Sequence, residues 1–447
     1  MDKEEILYII KNNLIGNNKL KLLLADVNTV DIAEIFEEVD RETVIRLFRI
    51  LPKPLASDVF AYIESDNQQI IIEALTDTEI GEIMRGLFMD DAVDFIEEMP
   101  ANVVNRVLQN VTGEKRKLIN QILQYPDDSA GSIMTTEYVF LYEDDTVKEA
   151  FDTIRNTGVN KETIYTCYVI RKNRLLLGVV SAKDLMLALP HQRIKEIMYA
   201  NPIFAGTTDD REIIADQFQK YGLIAMPVVD KEQRLVGIIT VDDIVDVIVE
   251  ENTEDIEKMG ALAPSSEPYL KTGVFKLSKN RIVWLLILMI SATFTGIIIT
   301  NFEAKMVALP ILMVFIPLLM DTGGNAGAQT STLIIRGMAV GEISPKDIFR
   351  ILWKEIRVAL LCGFGLGIVN FIWVFAVYGQ NLMLSIAVTV TLYSTLIIAK
   401  MLGSVLPIFA RRVKIDPAIM AAPMITTIVD ALSLIIYFMI ASAILGL

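Results

Sequence analysis

The chain has 447 residues, 53% hydrophobic and 22% charged, with a formal net charge of −15 at pH 7. Its mean hydropathy of +0.45 is too apolar for an ordinary soluble protein, and its charge content too high for membrane spans alone. The acidic balance excludes a nucleic-acid partner, whose phosphates it would repel, and two cysteines, Cys167 and Cys362, supply neither a disulfide framework nor zinc-type spacing.

Dividing the chain at Lys271 resolves the average. Residues 271–447 hold 14 Lys and Arg against 7 Asp and Glu, whereas residues 1–270 hold 27 against 49. An acidic soluble half of net −22 therefore precedes a basic membrane half of net +7. The first residues, MDKEEILYIIKNN, lack a signal peptide's basic start, apolar run and cleavage site, so the soluble half is expected in the cytoplasm. His191, the single histidine, stands beside Pro190 and reads as a surface residue.

Residues 1–130 read as a helical domain of short elements with an internal repeat. Ile32-Ala33-Glu34-Ile35 recurs as Ile80-Gly81-Glu82-Ile83, and Leu51-Pro52 as Met99-Pro100, both offset by 48 residues. Apolar residues between these marks fall at helical spacing, as in Val44, Leu47, Phe48 and Leu51, which predicts stacked helix pairs in a small α-superhelix.

A different repeat fills 131–196 and 197–250. Gly178-Val179-Val180-Ser181-Ala182-Lys183-Asp184-Leu185 is echoed by Gly237-Ile238-Ile239-Thr240-Val241-Asp242-Asp243-Ile244. Each copy predicts a short strand, a helix (Val147–Thr157; Asp210–Tyr221), a strand pair (Tyr165–Ile170 and Leu175–Val180; Ala225–Asp230 and Leu235–Thr240) and a second helix. The first copy carries about five extra residues around Asn160–Thr163. This repeated α/β pattern resembles a tandem pair of cystathionine-β-synthase (CBS) domains. Such pairs bind adenine nucleotides through the Ser/Thr and Asp of a G-x-x-[ST]-x-x-D segment, so the resemblance implies ATP or another adenine nucleotide at Ser181 with Asp184 and at Thr240 with Asp243.

Residues 251–280 form a connector. Its charged helical start gives way to a linker punctuated by Pro264, Ser265, Ser266 and Pro268. An all-α transmembrane domain of five spans is predicted over 281–447: Ile282–Thr300, Met306 to about Ile335, Val358–Val377, Leu382 to about Ala410, and Ala418–Leu445. Basic residues cluster before span one and in alternate loops, which places the N-terminus inside, the C-terminus outside, and the chain as a multi-pass protein of the cell (inner) membrane.

Two membrane segments carry the chemistry. Asp430 is the one acidic or basic residue between Ala418 and Leu445, and an intramembrane carboxylate costs at least about 2.5–3.5 kcal/mol, so it is expected to face water or a partner rather than lipid. Ala421, Pro423, Thr426 and Thr427 precede it, and Pro423 is expected to free a backbone carbonyl. In span two, the run that includes Gly323, Gly324, Asn325, Gly327 and Gln329 cannot face lipid, and its glycines suggest irregular backbone turned toward a pore. An oxygen-only environment of this kind suits Mg²⁺, which keeps several waters, and not zinc or copper. Gly363, Gly365 and Gly367 in span three read as helix-packing positions.

The acidic half offers a second set of oxygen ligands. Asp90, Asp91 and Asp94, then Asp242, Asp243 and Asp246, then Glu250, Glu251, Glu254 and Asp255 form crowded acidic faces, and a divalent cation between them would turn repulsion into attraction.

From Pro317 through Gly323-Gly324-Asn325-Ala326-Gly327-Ala328-Gln329, the Thr253-Glu254-Asp255-Ile256 connector and the Pro423 to Asp430 stretch, the chain resembles the MgtE family of magnesium channels and transporters. The resemblance spans nearly the full length, with helical N domain, CBS pair, connecting helix and five spans in order. It implies a homodimer in the lipid bilayer, an ion path on the dimer axis in which Asp430 helps hold hydrated Mg²⁺, and a connector acting as a plug helix under negative feedback by cytoplasmic Mg²⁺. Where the family commonly has a polar or glycine residue beside the proline, this chain has Ala422, which leaves backbone ligation there. No nucleophile–base pair or histidine cluster supports an enzyme. The rival readings are a nucleotide-sensing membrane protein and an ion-coupled divalent-cation carrier.

Overall fold

The computed structural model describes all residues except 1–2, 266–268, 304–306, 308, 379–380, 421 and 447. The chain divides into two compact units, Met1–Ile248 and Val249–Leu447.

The first unit opens with ten helices of eight to ten residues, from α1 (Lys3–Lys11) to α10 (Gly113–Ile122). Frequent stop and start signals keep them short. Asn28, Asp40, Thr76 and Thr112 cap helix N-termini with their side chains, and Pro52 and Pro100 occupy the same position in two others. The 48-residue repeat is a burial repeat: Ile32, Ile35, Ile80 and Ile83 all lie in the core. Phe36, Phe48, Phe60 and Phe95 run through that core in successive edge-to-face contacts, with centroid separations of 6.5, 6.0 and 5.1 Å.

Two three-stranded sheets follow, ordered β1-β2-β3 and β4-β5-β6. In the first, β1 (Tyr138–Tyr142) pairs parallel with β2 (Thr163–Ile170), which pairs antiparallel with β3 (Leu176–Ser181). The second repeats this with β4 (Ala205–Gly206), β5 (Ala225–Val229) and β6 (Leu235–Thr240). The crossover helices are α11 (Val147–Thr157) and α14 (Arg211–Tyr221), in the segments where helices are predicted. Gly178 and Gly237 are equivalent. A Cβ at either would stand 2.5–2.8 Å from a backbone oxygen, that of Tyr199 or Thr135, so only glycine admits the bridging strand. A 3₁₀ turn, Gly158–Asn160, leads into the extra residues of the first copy ahead of β2. After α12 (Ala182–Leu187) and α13 (Ile194–Ile197), the last helix of the second copy, α15, runs Val241–Met259 and so includes the connector's charged start.

The second unit holds five helices long and apolar enough to cross a membrane. They are α16 (Val274–Asn301), α17 (Ile316–Ala339), α18 (Ile348–Val377), α19 (Leu382–Arg412) and α20 (Ala422–Leu445). A 3₁₀ segment, Pro310–Phe315, leads into α17, and another, Pro417–Met420, precedes α20. The third helix begins ten residues before the expected Val358, because Ser344 and Pro345 start a capped turn that runs directly into it. Leu319, Leu392, Val429 and Tyr437 are among the core residues of this second unit, and the Tyr437 hydroxyl donates to the Leu312 carbonyl at 2.9 Å.

Two local expectations are corrected. The run 321–332 is regular α-helix inside α17, so its carbonyls are engaged along the helix and not turned toward a pore. Its glycines serve approach: a Cβ at Gly403 of α19 would collide with the Gly327 carbonyl oxygen, and one at Gly327 would stand 2.7 Å from Ile425. Pro423 falls in the first turn of α20, where no intrahelical bond is lost, and its carbonyl accepts from the Thr426 and Thr427 hydroxyls at 3.1 and 2.8 Å. Of the span-three glycines, Gly363 packs on Tyr393 and Gly367 on Thr389, whereas nothing lies within 4 Å of a Cβ at Gly365.

Candidate ion path and acidic cluster

In the membrane unit, α17 and α20 line an open cavity of about 430 Å³ bordered by Ile316, Pro317, Met320, Asp321, Gly324, Asn325, Thr426 and Asp430. The two helices run antiparallel past Gly324, where a Cβ would meet Thr426 at 3.1 Å and the Asp430 carboxylate at 3.6 Å. Gly324 therefore keeps the wall thin beside the carboxylate. Asp321, Asn325 and Gln329 recur at i, i+4 and i+8 and are all exposed, so α17 carries a polar stripe along one face. Such a face cannot lie against hydrocarbon.

The predicted pore residues separate into two groups. Asp430, Asn325, Gly324 and Thr426 meet at the cavity. Gly323 and Gly327 instead face α19 and α20, against Thr395, Val429 and Ile425. Thr427 is committed to the Pro423 carbonyl, and Gln329 continues the stripe beyond the cavity. Ala421 lies outside the described residues. Asp321 was visible in the sequence as the head of the polar run, but its part in the lining follows only from the i, i+4 register with Asn325.

In the first unit, acidic side chains gather from four segments. α8 (Met89–Glu98) supplies Asp90 and Asp91, the start of α15 supplies Asp242 and Asp243, and Glu137 and Glu162 precede β1 and β2. Asp90 is buried, and its pKa is pushed well above the usual carboxylate range by desolvation, then by Asp243 and Asp91. Desolvation raises Asp243 to about 6 against the opposing pull of its Thr240 hydrogen bond, with Asp242 adding to the rise, and desolvation followed by Asp243 and Asp242 raises Glu162 to about 8. Asp91 reaches about 6 through desolvation, against the opposing pull of the Lys115 ammonium. One Glu162 oxygen is buried without a hydrogen-bond partner. Glu162 and Lys115 were not singled out from sequence, because the cluster is assembled by tertiary contact. Asp94, although its side chain reaches the surface, is raised to about 7 by desolvation and then by Asp91 and Glu97, with Asp243 also contributing, so it borders the cluster, whereas Asp246 is exposed. Among the described residues, no three Asp, Glu, His or Cys side chains converge closely enough to hold a bare metal ion. The donor set fits a cation that keeps its waters.

The connector carboxylates behave differently. Lys258 bridges Glu254 at 2.6 Å and Asp416 at 2.7 Å, which ties the end of α15 to the turn before α20. Together these partners outweigh burial and hold the Lys258 pKa above its ordinary value. Asp255 is raised by desolvation and then by Asp416. Glu250 and Glu251 also take part in contacts within the protein.

The two CBS repeats present matching couples. Ser181 donates to Asp184 at 2.6 Å and Thr240 to Asp243 at 2.7 Å. The pairs predicted for a nucleotide are thus formed, each hydroxyl held by its own carboxylate.

Comparison with known proteins agrees with this organisation. Family models match in succession: the MgtE intracellular N domain over 27–128, CBS domains over 130–191 and 194–250, and the divalent cation transporter MgtE over 316–440. The magnesium transporter MgtE of Thermus thermophilus is 34% identical over 95% of this chain and 95% of its own, and that of Bacillus subtilis 32% over 94% and 93%. A crystal structure of the cytosolic domain of the Mg²⁺ channel MgtE in complex with ATP aligns with a TM-score of 0.51 at 31% identity, covering 54% of this chain and 99% of that one. The soluble part of a magnesium transporter aligns at 0.52 and 29%, covering 56% and 99%. With its helical N domain, CBS pair and five membrane-type helices all accounted for, the chain belongs to the MgtE family.

Proposed function

We propose that the protein carries Mg²⁺ across the cell membrane as a homodimeric channel closed by cytoplasmic Mg²⁺. The observation that carries this reading is the cavity in which Asp430 faces Asp321, Asn325 and Thr426 between two membrane helices. Its ligands are all oxygens or amides, and an octahedral hydrated cation can be held there through its waters without direct carboxylate contact. The polar stripe of α17 faces the path, and a second copy closes it. The soluble half lies in the cytoplasm and the C-terminus outside.

Closure is driven by the acidic cluster. Mg²⁺ entering between Asp90, Asp91, Asp242, Asp243 and Glu162 replaces mutual repulsion by shared attraction and compacts the first unit. The connector with Glu250, Glu251, Glu254 and Asp255 carries that change toward the pore, where Lys258 and Asp416 join it to the foot of α20. An adenine nucleotide at Ser181–Asp184 and Thr240–Asp243 adjusts the response, since Asp243 belongs to both sets.

Uptake of ²⁸Mg²⁺ into liposomes holding the purified full chain tests the reading. Wild type should load without any imposed proton or sodium gradient, and Asp430→Ala should fall by on the order of 100-fold. Equal uptake by the two would end the assignment of the path to this cavity.

A further inference from the structure

Two charged residues of the membrane unit take no part in the cavity. Lys400, midway along α19, and Glu355, in the second turn of α18, have side chains 8% and 13% exposed and stand 3.7 Å apart. Thr330 of α17 joins them: its hydroxyl donates to Glu355 at 3.0 Å and accepts from the Lys400 ammonium at 3.2 Å. The next residue, Ser331, donates to the Met420 carbonyl at 2.8 Å, on the turn before α20. Two consecutive residues of α17 are therefore bonded to three other elements.

We propose that Lys400 and Glu355 are positioning residues for ion passage, an internal charge clamp that sets the axial register of α17. Around this point α17 meets α19 through small residues, with Gly327 lying 3.3 Å (as a Cβ) from the Ala399 carbonyl. Close packing of that kind fixes how near two helices stand, while directional bonds fix how far one has slid along the other. Thr330 lies roughly 7 Å along the axis from Asn325, at about 1.5 Å per residue, within one rigid helix. A slip of α17 at the clamp therefore displaces Asn325 and Asp321 equally against Asp430 on α20. The pair is neutral as a unit, so it holds the helix in a low-dielectric setting without adding net charge beside the path.

This inference rests on the cavity being the ion path, and the experiment separates the two. Liposome uptake of Mg²⁺ and of Ca²⁺ is measured for wild type, Lys400→Met, Glu355→Gln, the double variant Lys400→Met/Glu355→Gln, and Lys400→Arg. Wild-type liposomes that take up no Mg²⁺ would sink the transport reading itself. Given wild-type uptake, each single neutralisation should cut Mg²⁺ flux by about tenfold or more and lower the Mg²⁺ to Ca²⁺ ratio, since it leaves one buried charge unpaired. The double variant and Lys400→Arg should return both readouts to within about threefold of wild type, because neither leaves a lone charge. Single variants with wild-type flux and ion ratio overturn the proposal. So does a double variant that elutes as well-folded protein yet transports no better than the singles, and this arm stands even where the singles fail to fold.

Discussion

The two units handle charge in opposite ways. The first crowds Asp90, Asp91, Asp242, Asp243 and Glu162 together, with the Lys115 ammonium acting on Asp90 and Asp91. The second pairs charges, buried Lys400 with Glu355 and half-buried Lys258 with Glu254 and Asp416, and leaves Asp321 and Asp430 at the cavity. A carboxylate cluster that protein cations do not balance responds to whatever cation arrives from solution, whereas internal pairs make a scaffold indifferent to it. Removing one charge should therefore have opposite signs in the two units.

The largest expected effect is in the membrane unit. Lys400→Met should lower the stability of detergent-purified protein by about 3–5 kcal/mol, read from thermal unfolding, because Glu355 is left charged and buried. A change within error would break the contrast at its strongest point. Next, Asp321→Asn should reduce Mg²⁺ flux by about tenfold at low external Mg²⁺ with unchanged unfolding temperature, since it removes charge from the lining without leaving a buried partner.

The acidic unit should respond the other way. A carboxyl whose folded pKa is raised binds its proton more tightly folded than unfolded, so stability falls as pH rises from the unfolded value near 4 through the folded one. For Asp91 and Asp243 at about 6 and Glu162 at about 8, the loss accumulates between pH 4 and 8. Protease protection of residues 1–248 in the full chain should accordingly need less Mg²⁺ at pH 8 than at pH 6, where protons compete for the same oxygens. Matching the ionic strength with Na⁺ should not reproduce it. Glu162→Gln should stabilise this unit by about 1 kcal/mol at pH 9, screening included, by roughly half of that at pH 6, and by almost nothing at pH 4. The smallest effect belongs to Lys258→Gln, whose partly exposed pairs are worth under about 1 kcal/mol in unfolding, though closure by Mg²⁺ should weaken if this tie carries the signal.

Much of this was legible in the sequence because it is written in local periods. The 48-residue repeat, the doubled β-α-β-β-α pattern and the five apolar runs all depend on near neighbours, and Asp430 announces itself by isolation. What escaped is tertiary. Lys400 is one basic residue in a long apolar span, and nothing nearby in sequence points to Glu355 or Thr330 as its partners. Glu162 sits in the extra residues of the first CBS copy and meets α15 only through folding. The glycine run was misread for a physical reason: glycine permits irregular backbone and also permits close helix approach, and composition alone does not choose.

Helix α15 carries Asp243 in its first turn and Lys258 in its last, with no glycine or proline between Val241 and Met259. At about 1.5 Å per residue the helix advances roughly 22 Å from one group to the other. Inserting a single residue between them would turn Lys258 by about 100° about the axis, away from Asp416, while every side chain at both ends stayed the same. Under the proposed closure by Mg²⁺, phase along this helix, rather than any one residue on it, would then decide whether the signal passes.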